Sequence, residues 1–276
     1  MLAHVAVERS DEVVGRRTIR PGLCSVTLRH LGIDAVIGAA VDAGLEGIEW
    51  GADVHVPPDD RAGAADVGAR SRATGLACPS YGSYLRAGSS QPQEVDDVLA
   101  AAEALGASTV RVWCDWLSAA DADADRRSAM ARDLAVWCDR AAARDLDLAL
   151  ELHAWTLTET ASSTQALLAE VDRDNLFTYW QPMDGDAPER SRSELGVVID
   201  DLANLHVFRW DADGRRLPLD DGTDLWPDIL SAAARPTGRW PSERWAFLEF
   251  VRDDDVAQLL DDAAVLRSWL SGISTD

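Results

Sequence analysis

The chain has 276 residues, with 48 acidic side chains against 26 basic ones and a net charge of −22. Every basic residue is arginine, and the absence of lysine excludes a Schiff-base aldolase, a pyridoxal-phosphate enzyme and a Walker-type P-loop. The acidic excess argues equally against a nucleic-acid-binding face and against docking on an anionic membrane.

A hydrophobic content of 47% is that of a globular chain long enough to bury a large core. No apolar run approaches the ~18 residues of a membrane helix. Residues Met1 to Arg20 are interrupted by Glu8, Asp11 and Glu12, so a secretory signal is not expected there. Cys24, Cys78, Cys114 and Cys138 lie far apart without a CxxC pair, which favours reduced thiols and a cytoplasmic location.

Along the chain a short apolar segment recurs, each copy read as preceded by a helix-like, alanine-rich stretch that ends in a small residue or a turn. The expected strands are Leu23 to Val26, Gly47 to Trp50, Leu76 to Ser80, Thr109 to Trp113, Leu146 to Leu152, Leu176 to Trp180, Leu205 to Phe208 and Trp245 to Phe250. The joints "AAVDAGLEGIEW", "RSRATGLACPS" and "AAEALGASTVRVW" each read as helix, then a glycine suited to a left-handed C-cap, then strand. Asp145, Asp174 and Asn204 stand at the later joints. The clearest helices are "LGIDAVIGAAVDAG", "RSAMARDLAVWCDRAAA" and "DDVAQLLDDAAVLRSWL". Strands that are apolar throughout are those of a parallel sheet buried on both faces. Eight such units predict an α/β fold of the (β/α)8 TIM-barrel type, rather than a doubly wound sheet with a Gly-rich phosphate turn. One domain is expected over residues 1–276, with 1–20 as an N-terminal arm. Arg209 to Asp224 and Ala234 to Arg244 read as long loops.

In such a barrel, function sits at the C-terminal ends of the strands. Four expected strands carry a polar residue at or near that end: Glu151 in "LALELH", Gln181 in "TYWQP", His206 in "NLHVF" and Glu249 in "FLEF". Two carboxylates, an imidazole and an amide oxygen converging on one axis would suit a divalent ion. Buried hydrogen bonds, or salt bridges to Arg111 and Arg209, are the other reading of the same residues. His153, two residues after Glu151, shares its side of an extended segment and is a candidate for a substrate hydroxyl. His55 follows the second strand on the same side, with Glu49 inside that strand as a supporting partner. Trp50, Trp113, Trp155, Trp180 and Trp210 fall at or past strand ends, where indole faces could pack on a sugar. Tyr81 and Tyr84 lie on the third loop, and Arg86, Arg111 and Arg216 are the cations that could meet a phosphate or carboxylate.

From "RPGLCSVTLRHL" through "GLEGIEWGADVHVP", "LALELHAWTLTET" and "LHVFRW" to "FLEFVRDD", the sequence resembles the sugar phosphate isomerase/epimerase superfamily of xylose-isomerase-like barrels. The resemblance implies a Mn, Co, Mg or Zn ion held by Glu151, Gln181, His206 and Glu249. Gln181 stands where characterised members place an aspartate, which implies weaker metal binding and leaves a metal-free site open. It also implies proton transfer next to a carbonyl through an enediolate, with Glu151 and Glu249 as the acid/base pair. His55, Tyr81, Arg111, Trp113, His153 and Arg216 are then the expected substrate contacts. An isomerase or epimerase of a small carbohydrate-like substrate is the leading expectation. A dehydratase or lyase, or a sugar-binding barrel that has lost catalysis, are the alternatives. A homodimer is among the expected states. The DNA-repair endonucleases of this fold are excluded, because five histidines do not build a trinuclear zinc cluster and −22 repels DNA.

Overall fold

The computed structural model describes residues 18–183 and 187–273. The N-terminal arm therefore lies, up to residue 17, outside the described residues. Eight parallel strands close into a barrel: β1 (Ile19–Cys24), β2 (Gly47–Gly51), β3 (Ala77–Ala87), β4 (Thr109–Cys114), β5 (Asp147–Glu151), β6 (Leu176–Trp180), β7 (Leu202–Val207) and β10 (Arg244–Leu248). β1 pairs with both β2 and β10, and this completes the ring. The helices α1 (Ile33–Asp42), α2 (Arg61–Ala73), α3 (Pro92–Leu105), α4 (Ala124–Ala142), α5 (Ala161–Val171), α6 (Pro188–Val198), α7 (Trp226–Ala233) and α8 (Val256–Ser271) follow the strands in turn. The (β/α)8 reading of the sequence is the architecture found.

Local chemistry explains the alternation. Asp60, Asp123, Thr160 and Asp255 cap the N-termini of α2, α4, α5 and α8 by accepting from backbone N–H groups. Gly44, Gly75 and Gly106 take φ values of 65°, 87° and 83° at the helix-to-strand joints. Asp145 does the same at φ 55°. After α5 the left-handed residue is Asp172 rather than the expected Asp174. Asn204 is no joint at all: it lies within β7, because that strand begins at Leu202 rather than Leu205. The expected loop from Arg209 contains a small hairpin, β8 (Arg209–Trp210) with β9 (Arg216–Leu217).

Two layers of packing result. The larger lies between strands and helices, and the smaller fills the barrel with Cys24, Ala149, Phe177, Tyr179, Trp245 and Phe247 among others. Aromatic rings of this size need bare backbone opposite them. A Cβ on Gly22 would lie 2.5 Å from the Phe247 ring, and one on Gly47 would lie 2.6 Å from Trp245. The four cysteines are free and buried. Among the described residues no helix is long and apolar enough to cross a membrane.

Candidate metal and active site

Period-two alternation along the strands sends every second side chain into the barrel. At the C-terminal end this brings together Cys24 of β1, Glu49 of β2, Arg111 and Trp113 of β4, and Glu151 of β5. Gln181, His206 and Glu249 join them from the ends of β6, β7 and β10. All of these are buried except Trp113, which is half-buried.

His206 is the hub. Its Nε2 lies 3.0 Å from Glu49 Oε1, so a carboxylate fixes the ring from behind. Its Nδ1 faces the axis, 3.2 Å from Glu249 Oε2, 3.3 Å from Gln181 Oε1 and 3.4 Å from Glu151 Oε1. Gln181 is oriented by its Nε2, which donates to the Leu152 carbonyl at 2.8 Å and turns the amide oxygen inward. Glu151 accepts on its other oxygen, Oε2, from Arg111 Nη1 and from the Trp113 indole N–H. Glu249 Oε2, by contrast, is buried without a hydrogen-bond partner.

The protonation pattern follows from these neighbours. Burial pushes Glu49 up, but the charges of His206 and Arg111 outweigh it and hold the carboxyl at about 2. Burial likewise opposes the ionised form of Glu151, yet Arg111 and His206 keep it below the usual carboxylate range. Glu249 goes the other way, raised by burial and by the charges of Glu151 and Glu49, which His206 and Arg111 do not fully offset. For His206, burial opposes protonation, but Glu249 and Glu49 raise it well above an ordinary histidine.

Beneath the cluster runs a polar chain that the sequence reading missed. Asn204 Nδ2 donates to Tyr179 Oη at 2.7 Å, Tyr179 donates to Ser80 Oγ at 2.8 Å, and Ser80 donates to Glu49 Oε2 at 2.6 Å. Tyr179 and Asn204 each stand two residues before a residue that was singled out, Gln181 and His206. The strand period was the signal that would have found them.

Several expected contacts are elsewhere. Both His55 ring nitrogens are taken, by Ser25 Oγ at 3.0 Å and the Leu31 carbonyl at 3.1 Å, so His55 ties the first two loops together. Tyr81 follows inward-facing Ser80 and so points outward, its hydroxyl donating to the Val56 carbonyl at 2.6 Å. Trp50 and Trp180 also face the helices, against Ser71 and Trp226. Arg216 is held on Asp254, away from the axis. Arg111 and Trp113 are in the cluster, bound to Glu151 rather than standing free. His153 packs on Trp113 with ring centroids 5.0 Å apart.

The donor set suits a metal ion. Ligand bonds of ~2.1 Å at near-tetrahedral or octahedral angles separate donors by roughly 3.0–3.4 Å, the spacing seen around His206 Nδ1. Glu151, His206 and Glu249 offer ligand atoms within 4.8 Å of one another. Charge agrees: three buried glutamates against the single guanidinium of Arg111 leave two negative charges, which one divalent ion neutralises. The unpartnered Glu249 Oε2 is the atom such an ion would satisfy.

Residues 37–269 match the profile of the xylose isomerase-like TIM-barrel family. This chain belongs to that family. No curated protein matches the sequence. Among solved structures, the probable 3-DHS dehydratase AsbF of Bacillus anthracis superposes with a TM-score of 0.75 at 18% identity, over 90% of this chain and 99% of that one. An L-ribulose 3-epimerase gives 0.67 at 17% identity, over 93% and 96%. The IOLI protein with a bound zinc atom gives 0.68 at 13% identity, over 94% and 100%. At these identities the likeness is one of fold. The structural neighbours thus include both epimerases and a probable dehydratase.

Proposed function

We propose that the protein is a divalent-metal-dependent isomerase or epimerase of a small sugar-like hydroxy-carbonyl compound. The observation that carries this reading is the convergence of four donor atoms, from Glu151, Gln181, His206 and Glu249, with one carboxylate oxygen left without a hydrogen bond. A divalent ion held by these residues would polarise a substrate carbonyl and stabilise the enediolate formed when the neighbouring proton leaves.

The chain's own residues divide the remaining work. Burial and the charges of Glu151 and Glu49 raise the Glu249 carboxyl above the usual carboxylate range, which favours it as the group that takes and returns the proton. Glu151 is held by Arg111 and Trp113, which fixes its second oxygen toward the axis as a ligand. Glu49 keeps the His206 ring oriented. Trp113 and His153 wall the mouth beside Glu151.

The occupied oxygen of Glu151 favours a second reading within the same chemistry. With one carboxylate engaged, Glu249 alone serves the reacting carbon, and a single base suits elimination of water or transfer on one face better than inversion between two faces. A dehydratase or lyase is therefore the runner-up.

The test is solvent deuterium exchange. Mn2+-loaded protein in D2O, offered a panel of free and phosphorylated ketoses and keto-cyclitols, is expected to wash deuterium into the position next to the carbonyl. Glu249→Gln should abolish that exchange with the fold intact, and exchange retained in the variant removes Glu249 as the base. Uptake of less than about one-tenth equivalent of Mn2+ or Co2+ would sink the metal-dependent reading outright.

A further inference from the structure

The arginines around the mouth are mostly committed. Arg29 pairs with Asp53, Arg126 binds Asp115 through two nitrogens, Arg209 pairs with Asp224 and Arg216 with Asp254. Arg86, at the end of β3, differs. It is 3% exposed, yet no carboxylate pairs with it among the described residues. Its Nη1 donates to the Asp115 carbonyl at 2.6 Å, and its Nε and Nη2 make no hydrogen bond to a described residue.

Its position is fixed by irregular pairing. Gly82 pairs with Arg111 and Arg86 with Trp113, so four steps along β3 match two along β4. This bulge brings the guanidinium against two indoles, with Cζ 4.2 Å from the Trp113 ring centre and 3.5 Å from that of Trp116. The Trp113 N–H is bonded to Glu151, so Arg86 stands one indole ring away from the candidate metal centre. Trp116, 67% exposed, covers it on the outer side. A guanidinium that has given up water for two aromatic faces is an unfinished interaction, and burial pulls its pKa down to about 10.

We propose that Arg86 is the anion-recognition residue of this site, and that the substrate carries a carboxylate remote from its reacting carbonyl. The inference rests on the enzymatic reading above and narrows its substrate class. The open Nε–Nη2 edge presents two parallel donors that match a planar carboxylate. Arg126 beside it is committed to Asp115, so a phosphate dianion would meet one uncommitted cation in a chain of net charge −22. The face of Trp116 turned away from Arg86, on an indole that is 67% exposed, would border the carbon skeleton between the two ends.

Isothermal titration of Mn2+-loaded protein tests this with quinate, methyl quinate, D-fructose and D-fructose 6-phosphate as probes. Quinate is expected to bind at least about tenfold more tightly than its ester, while the phosphate adds nothing to fructose. Arg86→Met should erase the acid-over-ester preference. Arg86→Lys, which keeps charge but not the fork, should retain only part of it and serves if the Met variant does not fold. Equal binding of acid and ester, a preference that survives Arg86→Met, or no binding of quinate at millimolar concentration overturns the proposal. A gain from phosphate larger than that from carboxylate overturns it in favour of a phosphorylated substrate. Repeating the acid–ester comparison by thermal shift in EDTA separates the two readings, since Mn2+ uptake reports the metal centre and the EDTA arm reports Arg86 alone.

Discussion

Gln181 carries the most informative departure at the level of single residues. Its amide nitrogen is anchored on the Leu152 carbonyl, so only a neutral oxygen reaches the cluster. Gln181→Asp adds a negative charge a few ångströms from any bound cation, and Mn2+ affinity measured by titration should rise at least about tenfold. An unchanged affinity would mean that the residue is no ligand. A different residue governs pH behaviour at the barrel's base. Asp147 opens β5, and burial raises its pKa to about 6, only partly relieved by Arg239. A folded pKa above the unfolded value of about 3.9 means that the folded state binds the proton more tightly; that stabilisation is present below pH ~4 and is lost as pH rises through 6. Asp147→Asn should therefore be more stable than wild type by about 1 kcal/mol at pH 7, after discounting for solvent contact, and equal to it near pH 4. Urea melts at the two pH values decide the matter.

Elements show why some of this was legible in the sequence and some was not. A glycine between an amphipathic stretch and an apolar run marks a backbone that must turn left-handed, so the joints at Gly44, Gly75 and Gly106 could be read directly. The four ligand candidates were legible because a polar side chain in an apolar run needs a partner. Facing was harder. Tyr81, Trp50 and Trp180 look like site residues only until the strand parity is anchored, and nothing local tells inward from outward when both faces are apolar. The bulge in β3 and the early start of β7 keep that parity but move the strand limits away from those read in the sequence. His55 misled for another reason, since its partners Ser25 and Leu31 come from a distant loop. A tight element-level constraint inside the barrel is β1 against β10. Gly22→Ala would force a methyl into the Phe247 ring, and chemical denaturation should show a loss of about 2 kcal/mol. A neutral result would mean that the ring has room to move.

At the scale of the whole molecule, charge and ligation are coupled. Three buried glutamates face only Arg111 and His206, which leaves the cluster with excess negative charge, so a cation that binds only the folded chain adds to its stability. At a hundredfold excess of Mn2+ over its dissociation constant the gain is about 2.7 kcal/mol. For a chain of this size that corresponds to a rise in Tm of roughly 5–10 °C, reversed by EDTA. A Tm indifferent to metal would contradict the site. The mouth is also uneven. Val54, Trp116, Leu117 and Trp155 on the loops after β2, β4 and β5, with Tyr84 in β3, expose apolar surface, while the β8–β9 hairpin carries the paired charges of Asp211, Arg215 and Arg216. A ligand entering the barrel meets carbon on one side and ions on the other.

The surplus in β3 is two residues, an even number, and that parity has an evolutionary meaning. One residue gained or lost between Gly82 and Arg86 would turn the strand's end over and swap Arg86 with a neighbour facing the helices. Two at a time would leave the facing intact and only slide the arginine along the rim. Descendants of this chain could thus retune the reach of the pocket in paired steps while the ligand cluster below stays in register.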